Sequence, residues 1–359
     1  MDNDVLKLIK PEVLELEGYS VATPPHTIKL NQNESPYELP VAIKEAFVDR
    51  LRSCPWSRYP NQAPTELHAE LRKALKLPSG IDVLVGNGSN ELIQTLLMAT
   101  IERGAGAIIP VPTFALYALV ARVLEATLIE VPLNEDLTFD TDRILGAATQ
   151  SRAKVIILCR PNNPTGTVIP IDGVKRLASE ANALVVVDEA YHDFAEGNLL
   201  PLLLDHENLV ILRTFSKAMR AAGLRIGYLL GRAALVQQLA KVMLPFNVSL
   251  MAKEAALAIL RNRELLGEGI RTIIKERDAL FDQLQMVKGI TPVPSQANFI
   301  CFRTQVPAKG LYDALLEKGI LIRDVSGYSM LADCLRVSVG TPEENRAFIT
   351  ALEAIMEET

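Results

Sequence analysis

Cysteine is scarce in this 359-residue chain, and the four present, Cys54, Cys159, Cys301 and Cys334, are scattered with no C-x-x-C pair. That spacing argues against a metal ribbon or a disulfide framework and for reduced thiols in a cytoplasmic protein, with no metal expected. Apolar runs of membrane-spanning length are missing, and Met1 to Lys10 carries acids where a signal peptide needs a basic region. Excess positive charge is missing too: the formal net charge is -6 and the pI is near 5.5. With no basic stripe, broad binding to nucleic acid or to anionic membranes is excluded, so an anionic ligand must be held by a few placed arginines and backbone amides. No G-x-x-x-x-G-K-[ST] occurs, which removes P-loop nucleotide chemistry. Gly86-Asn87-Gly88 is followed by Glu91 where a dinucleotide fingerprint needs its third glycine, and a carboxylate there would oppose a pyrophosphate. No internal repeat or low-complexity tract appears.

What is present is apolar material, 49% of the chain, enough for a large core and a length that suggests two domains. Residues 1–40 are rich in proline and poor in periodicity, and predict an extended arm lying on the smaller domain or on a partner. Helices are predicted from Pro40 to Leu51 and from Thr65 to Leu75. Beyond residue 81, short apolar runs alternate with helical patterns. The strands expected are Val83–Val85, Ala107–Pro110, Thr127–Val131, Val155–Leu158, Leu184–Val187, Leu209–Leu212 and Ile226–Leu230. Between them lie helical patterns at Glu91–Ile101, Ala115–Val123, Thr141–Ala148 and Ile171–Glu180. Such alternation implies an α/β domain over residues 41–245, with a mainly parallel seven-stranded sheet flanked by helices. The last strand follows its predecessor too soon for a covering helix and is expected to run antiparallel. Residues 246–359 read as a smaller α+β domain. It has one long helical region, Ser249 to Met286, strands at Asn298–Phe302, Gly319–Arg323 and Leu335–Val339, and helices at Lys309–Glu317 and Pro342–Met356.

Three features at strand ends carry chemistry. Lys217 follows the strand Leu209–Leu212; taken alone, a lysine after a strand reads as a surface side chain. Asp188 directly follows Leu184–Val187, where it can cap a helix or face a ring nitrogen. Ser89 and Asn90 open a helix whose amides can cup a single phosphate or merely form a tight turn. Together they become specific. A pyridine cofactor that works as an electron sink needs a carboxylate at its ring nitrogen, a lysine holding its aldehyde as a Schiff base, and a helix start for its phosphate. Asp188, Lys217 and the Ser89-Asn90 amides, helped by Ser216 and Arg225, could meet these requirements from one sheet.

The ordered set Gly86-Asn87-Gly88-Ser89, Asn162-Asn163-Pro164-Thr165-Gly166, Asp188-Glu189-Ala190-Tyr191, Ser216-Lys217 and Arg225 resembles the fold-type-I, pyridoxal-phosphate-dependent aminotransferases along nearly the whole chain. Leu30-Asn31 with Asn33-Glu34, Arg58-Tyr59-Pro60, Ile322-Arg323-Asp324 and Leu335-Arg336-Val337-Ser338 make it most similar to the histidinol-phosphate aminotransferases among them. The resemblance implies that Lys217 binds pyridoxal 5'-phosphate and shuttles a proton, that Asp188 pairs with the ring nitrogen, and that Asn163 and Tyr191 hydrogen-bond the ring oxygen. It also implies that Phe114 stacks on the ring. Ser89, Asn90, Thr214, Ser216 and Arg225 would hold the phosphate, with Tyr59 reaching in from the partner of a homodimer. Arg336 would bind the glutamate carboxylate, and Tyr19, Asn33 and Arg323 would contact substrate. A guanidinium fork suits both a carboxylate and a phosphate. The reaction implied is transfer of the amino group from L-histidinol phosphate to 2-oxoglutarate in histidine biosynthesis. Alternatives are an aromatic or broad-specificity aminotransferase, a threonine-phosphate decarboxylase, and a non-catalytic protein on this fold. Phe114 in place of a frequent tyrosine, Ser35 in place of asparagine and Met219-Arg220 after the lysine are departures from the pattern.

Overall fold

In a computed structural model, residues 4–358 are described apart from 17, 19–21, 62 and 63. The seven predicted strands form one sheet, spanning Ile81–Gly86, Gly106–Val111, Thr127–Pro132, Ala153–Cys159, Leu184–Asp188, Leu209–Thr214 and Gly227–Arg232. Gly227–Arg232 lies between Ile81–Gly86 and Leu209–Thr214 and is antiparallel to both, while the other pairs are parallel. Twelve residues separate it from the preceding strand, too few for a covering crossover helix. Successive side chains alternate between two buried layers. Ile156, Leu158, Val185, Val187 and Ile211 enter one core, whereas Val155, Ile157, Val186, Val210 and Leu212 enter the other. Burial on both faces is why these strands read as continuous apolar runs.

The C-terminal part builds a four-stranded antiparallel sheet in the order Arg323–Asp324, Cys334–Ser338, Phe299–Thr304, Ile290–Pro292. Its separate core includes Leu280, Leu284, Phe302, Leu315, Val337 and Phe348. The arm joins this part. Ile28–Lys29 pairs in parallel with Ile320–Leu321, and the Ser338 amide donates to the Leu30 carbonyl at 2.9 Å. No helix among the described residues is long and apolar enough to cross a membrane.

Local differences from expectation have local causes. The single long helical region is two helices, Leu250–Arg261 and Gly267–Met286, joined by a 3-10 turn at Arg263–Leu266. Asn262 ends the first: its amide donates to the Ile259 carbonyl and its side chain to the Ala258 carbonyl at 2.8 Å. The two helices also serve different cores, with Ala252 and Ala256 in the first and Leu280 and Leu284 in the second. Leu266 and Ile270 still pack on the first core, so the chain passes to the second within the helix Gly267–Met286. The run Gly319–Arg323 is divided, Ile320–Leu321 pairing with the arm and Arg323–Asp324 with Cys334–Ser338. The helix Ala233–Ala240 and the strand Ile290–Pro292 were not anticipated; each is short.

Candidate active site

The parallel strands deliver their C-terminal ends to one edge of the sheet, where open α/β sheets bind ligands. A cavity of about 390 Å³ opens there. Lys217 enters it from the loop after Leu209–Thr214, its Nζ donating to the Gln32 carbonyl at 2.9 Å and lying 5.7 Å from the Tyr191 ring centre. Burial and the nearby cations Arg336 and Arg225 lower its pKa to about 7, against an opposing pull from Glu34. A large share of the amine is therefore neutral near pH 7 and able to act as a nucleophile.

Asp188 ends its strand on the cavity floor, in register with Cys159. Its carboxylate is 3% exposed, yet both oxygens have donors: the Tyr117 hydroxyl at 2.8 Å and the Ala190 amide at 3.0 Å. Burial raises its pKa to about 6, and those two donors restrain the rise. Tyr117 is a functional residue that sequence reading missed. It lies in the apolar helix Leu116–Val123, fully buried, and a buried phenol needs a partner for its hydroxyl. That requirement was the available signal.

A cup for an anion forms opposite. The helix Gly88–Thr100 begins with no side-chain cap, and Ser89 and Asn90 at its first turn line the cavity. The backbone is packed closely here: a Cβ on Gly227 would lie 2.4 Å from the Ser89 amide nitrogen, and one on Gly88 would lie 2.5 Å from Arg225 Nη2. The Thr214 hydroxyl donates to Ser216 Oγ at 3.0 Å, and Arg225 Nη1 donates to the same oxygen at 3.3 Å. Glu91 is turned away, its carboxylate accepting from the Asn87 amide at 2.5 Å and from Asn247 at 2.7 Å. Two hydroxyls, one guanidinium and an uncapped helix start suit a phosphate monoester. With Lys217 and Asp188 beside them, this donor set fits pyridoxal phosphate.

The remaining wall comes from the four-stranded sheet and the arm. Arg336 donates to Asn163 Oδ1 at 2.5 Å and to the Asn31 carbonyl at 2.7 Å, and its guanidinium lies 5.2 Å from the Phe299 ring centre. The Tyr191 hydroxyl accepts from Asn33 Nδ2 at 3.0 Å, and burial pushes its pKa up. Phe114 lines the cavity edge-on to Tyr117, and Arg323 stands on the same wall as Arg336. Gln32, Glu34 and Tyr328 also line it and were not anticipated.

Thus Asn33, Ser89, Asn90, Phe114, Asn163, Asp188, Tyr191, Thr214, Ser216, Lys217, Arg225, Arg323 and Arg336 share one cavity. Tyr59 lies outside it: its side chain is 83% exposed and stacks on Phe246 at 4.7 Å. Tyr19 lies outside the described residues. Among the described residues, no cluster of His, Cys, Asp and Glu could hold a metal ion.

Known proteins share this arrangement of chain. The histidinol-phosphate aminotransferase of Chlorobium phaeovibrioides is 40% identical over 361 residues, covering 99% of both chains. Histidinol-phosphate aminotransferase 2 of Nitrosococcus oceani is 39% identical, covering 98% of each. Among solved structures, histidinol-phosphate aminotransferase from Sinorhizobium meliloti in complex with pyridoxal-5'-phosphate superposes with a TM-score of 0.87 at 24% identity, covering 98% of both chains. L-threonine-O-3-phosphate decarboxylase from Porphyromonas gingivalis superposes at 0.81 with 26% identity, covering 92% of this chain and all of that one. The family model for aminotransferase class I and II matches residues 25–352, and the chain belongs to that family.

Proposed function

We propose that this chain is a pyridoxal-phosphate-dependent aminotransferase that moves the amino group of L-histidinol phosphate to 2-oxoglutarate, giving imidazole-acetol phosphate and glutamate in histidine biosynthesis. The observation that carries the reading is the convergence of Lys217, Asp188 and the Ser89–Ser216–Arg225 cup on one cavity, faced by Arg336 and Arg323. The donor is taken from relatives such as the Chlorobium enzyme, alike over almost their full length. When bound, pyridoxal phosphate supplies an electron sink for charge developing at the substrate α-carbon.

The protein's own residues do the rest. Lys217 would hold the cofactor through its amine and, when freed from it, that amine would take up the proton from the substrate α-carbon. Asp188, held by Tyr117 and Ala190, would keep the ring nitrogen protonated. Asn163 and Tyr191 would orient the ring oxygen, Phe114 would cover the ring, and Ser89, Asn90, Thr214, Ser216 and Arg225 would hold the phosphate. Arg336 would take the glutamate carboxylate, Arg323 is assigned with Tyr19, which lies outside the described residues, to the substrate phosphate, and Asn33 to substrate contact. Tyr59, exposed and stacked on Phe246, is assigned to the partner's site in a homodimer working in the cytoplasm. We also divide the chain into an arm to residue 40, a large domain to 245 and a small one beyond, with the helix Leu250–Arg261 packed on the large domain's core.

Two variants test the assignment. Lys217→Ala is expected to abolish turnover and the visible absorption of the lysine-linked cofactor; retention of both would overturn the reading. Arg336→Ala loses charge-assisted contacts, so glutamate binding should weaken by about 1.5 to 3 kcal/mol while the cofactor stays bound.

A further inference from the structure

We propose that Arg220 is a positioning residue, a clamp that fixes the two halves of the cavity against each other. The inference rests on the reading above, in which one substrate is shared by Lys217 on the seven-stranded sheet and Arg336 on the four-stranded one. The described chain passes between these two parts at two places. One is Ser35–Pro40, leading from Asn33, which donates to Ser338 Oγ at 2.8 Å, to the helix Val41–Ser53, whose Ile43 enters the large core. The other is the helix Gly267–Met286, whose Ile270 still packs on the core that holds Leu266 while its Leu280 and Leu284 enter the small part's core.

Arg220 touches both, from the loop that carries the lysine. Its amide donates to the Lys217 carbonyl at 3.0 Å. Its Nη1 donates to the Glu38 carbonyl at 3.0 Å, and its guanidinium lies 5.3 Å from the Tyr37 ring centre, both within the first crossing. Nη2 rests on the start of the helix Gly267–Met286, so close that a Cβ on Gly269 would stand 1.6 Å from it.

The arrangement carries visible costs. Arg220 has a left-handed backbone, φ 56°, and its Nε is buried with no hydrogen-bond partner. Strain and an unmet donor persist where the surroundings impose them, and such positions gather at functional sites. If the clamp is lost, only a fraction of molecules hold Arg336 and Arg323 at the right place over Lys217, and apparent substrate affinity falls by that fraction.

Gly269 allows a test that leaves the catalytic groups untouched. Its backbone is helical and alanine is the better helix former, so a structural role alone would leave Gly269→Ala as stable as the parent or more so. As part of a clamp, the new methyl displaces the guanidinium. Arg220→Ala, Gly269→Ala and the double variant would be compared as cofactor-loaded enzymes. The measurements are KM and kcat for both substrates, thermal unfolding and the cofactor absorption. Each single variant is expected to raise KM about tenfold with kcat nearly unchanged and absorption retained, and the double to be no worse than either, as for coupled neighbours. Parental KM in Gly269→Ala, or effects that multiply in the double, would overturn the clamp. A parent protein that turns over neither substrate would instead remove the functional reading and the clamp with it.

Discussion

Asp188 shows what a single buried carboxylate imposes on its neighbours. Burial raises its folded pKa to about 6 from an ordinary 3.8. A group whose pKa is raised on folding contributes stability that is fully present below its unfolded pKa and lost as pH climbs through the folded one. The cofactor-free protein is therefore expected to lose about 2 kcal/mol between pH 4 and 6.5 through this residue, and Asp188→Asn to flatten that slope in denaturant titrations. Tyr117→Phe should act in the opposite sense. It removes a donor that favours the ionised form, so the slope should steepen, stability at neutral pH should drop by roughly 1 to 2 kcal/mol, and turnover should slow. An unchanged slope in both variants would mean that Asp188 is not the titrating group. At this scale the sequence was informative about residues that end apolar strands or open a helix, such as Asp188 and Ser89, because strand ends define the site's edge. Tyr117 was hidden by its apolar surroundings. Gln32 and Glu34 were hidden because the arm's course over the cavity depends on pairing with residues almost 300 positions away.

Among the elements, the clearest link between backbone and chemistry is the meeting of the strand Gly227–Arg232 with the start of the helix Gly88–Thr100. Gly227 leaves no room for a side chain, since its Cβ would lie 2.4 Å from the Ser89 amide nitrogen and 2.7 Å from the Gly88 carbonyl carbon. Backbone cannot swing aside as a side chain can. Gly227→Ala should therefore displace the helix start and weaken cofactor binding about tenfold or more, the loss of one charge-assisted contact. Equilibrium dialysis of the cofactor checks this, and parental affinity would show that the cup does not hold the phosphate. The helices Thr65–Leu75 and Ile171–Glu180 match their sequence periodicity from end to end, because each shows an apolar stripe against a polar face. The break at Asn262 was overlooked because the residues around it are good helix formers. What ends the first helix is the Asn262 side chain turning back to the Ala258 carbonyl, and the later turns of the helix beyond it pack on a different core.

For the whole molecule, the reading is that two sheets and an arm bring chemistry to one cavity. The seven-stranded sheet was legible because doubly covered strands are uniformly apolar, and its antiparallel member because its connection is short. The division of Gly319–Arg323 between two sheets was not legible, since its partners lie in the arm and at Cys334–Ser338. The placement of Arg336 over Lys217 likewise exists only once both sheets are packed. The shared cavity is best tested by following the visible spectrum of the cofactor-loaded protein after addition of L-histidinol phosphate alone, then of 2-oxoglutarate. Rapid conversion of the bound cofactor to its amine form by the first, and restoration with release of glutamate by the second, is the expected result. No conversion by histidinol phosphate, together with rapid conversion by phenylalanine or carbon dioxide release from threonine phosphate, would contradict it.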